Sequence, residues 1–305
     1  MQRFSIVKGF FYGNYFYGIC AIALSIETSL QLKLPLNNPF FYALIGIATV
    51  LYYTHAYYID VKRQPNISNE RNQWYTLHHK KVEIIQILFT ALLGLILMLM
   101  VNGLQPHFDQ VHWLGWVLSF SFLLIGAAYY HQLHPILGKW SLRHTGLLKP
   151  FSIGLVWAGM VSFIPVFFYD LSYPGLNRCL QWDTWLVLLN NWLFISLLSV
   201  LFDIKDVSAD AQEKIKTWVI ELGVQKTLLR LVFPMTILCC FTYWGIAYML
   251  NLSVFRIVFN SIPYVLLITV CTQMHERKSI LYYLAIIDGL MLAKAVCGMI
   301  GMMTN

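Results

Sequence analysis

Three aspartates close a long apolar stretch in Phe202-Asp203-Ile204-Lys205-Asp206-Val207-Ser208-Ala209-Asp210. Their spacings of three and four put Asp203, Asp206 and Asp210 on one face of a helix. Carboxylates packed in that way repel one another unless positive charge lies between them. Oxygen ligands with lysine beside them are what a hard divalent cation carrying a phosphate requires. A solvated acidic face is the plainer reading. The stripe lies where an apolar run meets water, however, and ionisable groups at such places are functional by default.

Two further polar segments accompany the stripe. One runs His55-Ala56-Tyr57-Tyr58-Ile59-Asp60-Val61-Lys62-Arg63 and continues through Asn69-Glu70-Arg71-Asn72-Gln73-Trp74. The other holds Tyr129-Tyr130-His131 and then Leu142-Arg143-His144-Thr145-Gly146-Leu147-Leu148-Lys149-Pro150. Acids, bases and polar aromatics in this mixture suit the handling of a phosphorylated lipid. Carboxylates hold Mg²⁺ against phosphate oxygens, and Lys and Arg take the remaining negative charge. If diphosphate departs, the cations stabilise it and aromatic faces shelter an allylic cation. Taken without the aspartate stripe, the same segments serve equally well as solvated charges, orientation signals or contacts for anionic lipid headgroups.

These groups need elements to position them. The 305 residues are 58% hydrophobic and only 11% charged, whereas a soluble domain carries about 25% charge. The chain is therefore an integral membrane protein. Nine stretches have the roughly 20 apolar residues that a span requires: residues 9–32, 40–61, 82–103, 113–130, 150–169, 184–201, 227–251, 255–271 and 280–303. On alternate sides of those spans the connections carry 17 and 3 Lys and Arg residues, with Lys294 inside the last span. Basic connections stay inside, so the amino terminus is expected in the cytoplasm and the carboxyl terminus outside. The three polar segments then share the cytoplasmic side and can converge on one cavity. The expected fold is all-α, with nine transmembrane helices around a central cavity open to the cytoplasm, in one domain over residues 1–305.

The surplus of base reads as topology. Nucleic acid is not an expected partner, because there is no basic, aromatic-bearing soluble module to hold it. The first apolar run is too long for a cleaved signal and has no small-residue cleavage site after it. Six cysteines form no CxxC pair and lie mostly within spans, which suits packing. Asn190 and Asn191 are expected to join helices by hydrogen bonds. Asp288 and Lys294, six apart in the last span, do not stack on one another.

With these residues in view, the chain resembles the UbiA superfamily of intramembrane prenyltransferases. Asp203 to Asp210 looks like the second aspartate-rich motif of that family, and Lys216-Thr217 and Leu222-Gly223 look like its continuation. Leu142-Arg143 through Lys149, leading into Val156-Trp157-Ala158, is similar to the start of its fifth helix, and Tyr130 to the tyrosine closing its fourth. The first motif departs. Where the family has Asn-Asp-x-x-Asp, this chain has Thr54-His55-Ala56-Tyr57-Tyr58, with Asp60 the nearest carboxylate. It resembles a divergent branch with His in place of the leading acid.

The resemblance implies a prenyltransferase that moves an isoprenyl group from an isoprenyl diphosphate to a lipophilic or aromatic acceptor with Mg²⁺, in the bacterial inner membrane. Asp203, Asp206 and Asp210 would then hold the metal, and Lys205, Arg143 and Lys149 would face the diphosphate. Tyr130, Asn69 and Arg71 join the substrate-binding set. His55 and Asp60 are the candidates for the catalytic work of the missing acids, with Glu70 beside them. Asp60 lies five residues after His55 and off its helical face, so it reaches the site only if the helix has ended. The alternative is a non-catalytic relative that binds a lipid or quinone, or an assembly partner. A transporter finds no support in internal repeats or paired broken helices.

Overall fold

Backbone groups inside a membrane have no water to bond, so apolar runs of this length coil into helices. The protein is described here by a computed structural model covering residues 6–63, 69–129, 145–173, 175–212, 214–274 and 278–303; the side chains of residues 60, 63, 103–107 and 209 are outside the description. Among the described residues there is no strand. The helices are α1 (Ile6–Tyr12), α2 (Tyr15–Gln31), α3 (Pro39–Arg63), α4 (Glu70–Leu104), α5 (Trp113–Tyr129), α6 (Gly146–Ser172), α7 (Trp182–Gln212), the short α8 (Trp218–Leu222), α9 (Val224–Met249), α10 (Val254–Thr272) and α11 (Ile280–Met303).

Over their described residues, the first expected stretch falls on the broken pair α1 and α2 and each of the others on a helix. Seven described helices are long and apolar enough to cross a membrane, namely α3, α4, α6, α7, α9, α10 and α11. The pair α1 and α2, bent by 59°, makes an eighth if it is taken as one span, and α5 is shorter at 17 residues. Helix α4 starts at Glu70 and not near residue 82, so much of the expected second connection is helical, with a kink at His78. Helix α7 carries the whole aspartate stripe before it ends.

Helix α2 packs between α3 and α11, and α7 between α6 and α9, while α3 also leans on α4 and α10 on α11. Of the spanning helices α7 is the most enclosed and α4 the least, with 72% and 6% of their apolar stretches buried. The stripe therefore rides on the interior helix.

Among the described residues three helices contain a wide turn, at Gly159–Phe163 in α6, Leu228–Val232 in α9 and Tyr283–Ile287 in α11. The first two precede Pro165 and Pro234, whose rings clash with the carbonyl four residues back and open the turn. No proline follows the third.

Two local devices position the site. The bend between α1 and α2 is made at Asn14, which is fully buried with φ 63°. Asn tolerates this left-handed conformation better than most residues. Its Nδ2 donates to Thr54 Oγ1 of α3 and to the Tyr75 hydroxyl of α4, each at 3.0 Å, and its Oδ1 accepts from Arg71. Farther along, Gly146 has φ +62°, and a Cβ there would stand 2.5 Å from the Lys216 carbonyl oxygen. With the Trp218 indole N–H donating to the Leu147 carbonyl at 2.9 Å, the segment after α7 holds the start of α6 and hence Lys149.

A second polar cluster lies toward the other end of the bundle. Glu27 of α2 pairs with Lys294 of α11 at 3.2 Å, both buried. Gln31 donates to Glu27 at 3.2 Å and also to Asn260 of α10. Gly298 leaves the room, since a Cβ there would meet Glu27 Cγ at 2.5 Å. The cavity beside this pair, about 10 Å³, holds at most one water-sized species. Asn190 joins three helices as expected, donating to the Cys239 carbonyl and Thr242 of α9 and accepting from Tyr264 of α10.

Candidate functional site

The stripe folds as its spacing predicts, and the positive charge its repulsion demands is Lys149. The Lys149 ammonium lies 2.9 Å from Asp203 Oδ1 and 3.0 Å from Asp210 Oδ2, with all three side chains more than nine-tenths buried. Asp206 points to the more exposed flank and pairs with Lys205 at 3.3 Å. Lys205 also lies 5.4 Å over the Phe202 ring. Asp203 Oδ2 is buried with no hydrogen-bond partner.

Among the described residues no three His, Cys, Asp or Glu side chains gather as a ready metal cage. The donor chemistry nonetheless fits a hard cation: the groups are carboxylate oxygens, and one buried oxygen of Asp203 is unclaimed. Lys149 was expected to face diphosphate. In this structure its ammonium bridges two of the three expected metal ligands, Asp203 and Asp210.

Among the described side chains of the second connection, His55, Asn69 and Glu70 are placed or engaged away from the stripe. Helix α3 runs unbroken to Arg63. Residues two apart on a helix point about 200° apart, so His55 lies opposite Tyr53 and Tyr57 and is exposed. His55 is thus found on the α3 face turned away from the Tyr53 and Tyr57 side, not on the side expected for a residue lining the stripe's cavity. The Asp60 side chain lies outside the described residues. Glu70 pairs with Lys8 and accepts from the Tyr12 hydroxyl at 3.0 Å, which ties it to α1. Asn69 caps α4, its Oδ1 accepting the Asn72 N–H at 2.8 Å, a local duty in place of the expected substrate contact. At the end of α3, Tyr58 bonds Glu83, and the Tyr58 hydroxyl beside Lys62, with Glu83 adding to it, holds the Lys62 ammonium above its ordinary range. Tyr130 and Arg143 lie outside the described residues.

Arg71 turns inward. It is 2% exposed, bonded to Asn14, and its guanidinium sits 3.5 Å over the Tyr57 ring. Asp288 of α11 is buried, interacts with the Tyr17 side chain and lies within electrostatic range of Arg71 and Lys205. Beside it is an aromatic wall. Tyr17 and Tyr53 have ring centroids 4.6 Å apart, and the Trp157 indole N–H donates to the Tyr53 hydroxyl at 2.5 Å. Sequence reasoning assigns Asp288 no role in its span and does not single out Tyr17 or Tyr53. The available signal was the rule that an ionisable group inside a span is functional.

His55→Ala is expected to leave stability within about 0.5 kcal/mol of the parent, as substitutions at exposed positions do. Ligand binding should also be unchanged. Thermal unfolding in detergent checks this, and a large loss would return His55 to the interior.

A solved apo structure of a UbiA homologue from Aeropyrum pernix K1 matches this arrangement with a TM-score of 0.65. The match covers 93% of this chain and 96% of that one at 15% identity. No protein-family model matches the chain, and no curated protein does. The chain has a UbiA-like fold.

Proposed function

We propose that this protein is an intramembrane prenyltransferase that moves an isoprenyl group from an isoprenyl diphosphate to a lipophilic or aromatic acceptor. The observation that carries the reading is the buried Asp203–Lys149–Asp210 cluster at the end of the interior helix of a UbiA-like bundle. Arg71, Lys149 and Lys205 supply positive charge for the diphosphate, joined by Arg143 from the connection before α6. Asp203, Asp206 and Asp210 would hold Mg²⁺, which adds positive charge where the leaving diphosphate gathers its own. Tyr17, Tyr53 and Trp157 offer ring faces to an allylic cation, and the isoprenoid tail lies among apolar helices. The distribution of Lys and Arg supports a cytoplasmic amino terminus, with the site open to that side of a bacterial inner membrane.

The test is diphosphate release by purified protein with Mg²⁺, a panel of isoprenyl diphosphates and mixed quinol, phenol and lipid acceptors. Asp203→Asn keeps the shape and removes the charge, so release should fall by about 10²–10³-fold while the protein stays folded. Equal turnover by the variant would sink the role given to the cluster.

The positions of His55 and Glu70 favour a second reading, a relative that binds a lipid diphosphate or quinone without turnover. It predicts saturable quenching of tryptophan fluorescence by the diphosphate with no release.

A further inference from the structure

Asp288 occupies a place that a structural account alone does not explain. It directly follows the wide turn Tyr283–Ile287, where its own N–H reaches back five residues to the Tyr283 carbonyl at 3.1 Å. The other two wide turns have a proline to account for them; this one does not, and such turns recur at functional sites. The carboxylate is 4% exposed, and its Oδ2 is buried with no hydrogen-bond partner. An open oxygen on a buried carboxylate is costly to keep. Its backbone carbonyl lies 3.9 Å from the Cys20 thiol of α2, one turn from Tyr17 and the aromatic wall behind it, and its carboxylate is within electrostatic range of Arg71 and Lys205, the cations assigned above to diphosphate.

We propose that Asp288 is a catalytic residue that receives the proton of the acceptor, and that the acceptor is a neutral, hydroxyl-bearing lipophile lying against Tyr17, Tyr53 and Trp157. The inference rests on the prenyltransferase reading and deepens it. A lone pair of the acceptor oxygen forms the new bond to the first carbon of the isoprenyl group. The bond from that carbon to diphosphate oxygen breaks, and its electron pair leaves with the diphosphate. The acceptor O–H proton passes to Asp288 Oδ2 and later to water. A carboxylate on the same end of the acceptor would meet Asp288 as a like charge, so acidic acceptors are disfavoured.

The experiment pairs phenols and alcohols with their methyl ethers and with carboxylated analogues, at one isoprenyl diphosphate that the wild-type protein cleaves. Wild type should transfer to the hydroxyl compounds and not to the ethers. Asp288→Asn should bind the donor as wild type does, by tryptophan quenching, yet transfer about 10²-fold more slowly. Asp288→Glu, which keeps the carboxylate, should recover part of the rate. Undiminished transfer by Asp288→Asn overturns the inference, as does donor binding lost in step with transfer, or a preference for carboxylated acceptors. The ether comparison needs no variant and decides the matter if Asp288→Asn does not fold. Equal use of ethers and hydroxyl compounds by wild type overturns the inference alone, whereas wild type silent with every donor and acceptor overturns the prenyltransferase reading and this inference with it.

Discussion

Lys149→Met is expected to destabilise the protein by about 3–5 kcal/mol, the usual cost of removing one partner from a buried ion pair. The reason is specific to the stripe. Asp203 and Asp210 share this ammonium at 2.9 and 3.0 Å, and Asp206 stands one turn from each on the same helix. Methionine fills a similar volume but leaves the buried carboxylates facing each other without a counter-charge. Lys149→Arg keeps the charge and should lose much less. Because a divalent cation can supply the missing charge to oxygen ligands, added Mg²⁺ should return part of the stability of the methionine variant. It should do less for a variant that also carries Asp203→Asn. Thermal unfolding in detergent, with and without Mg²⁺, reads all three. A methionine variant as stable as the parent would mean that the aspartates do not depend on Lys149.

The second large effect concerns Glu27 and Lys294. Their contact at 3.2 Å is buried on both sides, and Glu27 Oε2 has no partner of its own. Either single change, Glu27→Leu or Lys294→Met, strands a charge among apolar helices and should cost about 3–5 kcal/mol. The double variant strands none and should recover most of that loss, because a buried pair is often no more stabilising than well-packed apolar residues in its place. The double-mutant cycle, measured by unfolding in one detergent, tests the coupling. A double variant as poor as the sum of the singles would show that the two residues act apart.

How far these sites were legible in the sequence depended on whether the partner lay nearby in the chain. Asp203, Asp206 and Asp210 were legible because one helical face is set by spacing alone. The need for a positive charge among them followed from Coulomb repulsion, but its identity did not. Lys149 reaches the stripe only because Gly146 and Trp218 dock the start of α6 on the segment after α7. His55 was placed by analogy with a motif, and the unbroken course of α3 decided its direction otherwise. Arg71 depends on the left-handed Asn14, whose three partners lie 40 to 61 residues away. Asp288 and Lys294 indeed do not stack on one another. Each instead finds its surroundings on other helices, a relation that helical periodicity cannot express.

The wide turn in α11 bears on how this chain could have changed length. At its start, Tyr283 packs against Phe202 of α7 with ring centroids 5.6 Å apart; after it, Lys294 meets Glu27 of α2. A residue lost between the two would restore a regular helix and swing everything downstream by about 100°. Tyr283 and Lys294 could not then both be seated. Substitutions between these positions are tolerable where the new side chain fits, but an insertion or deletion there costs one of the two anchor points outright. Sequences descended from the same ancestor should accordingly differ in this stretch by letter and not by length.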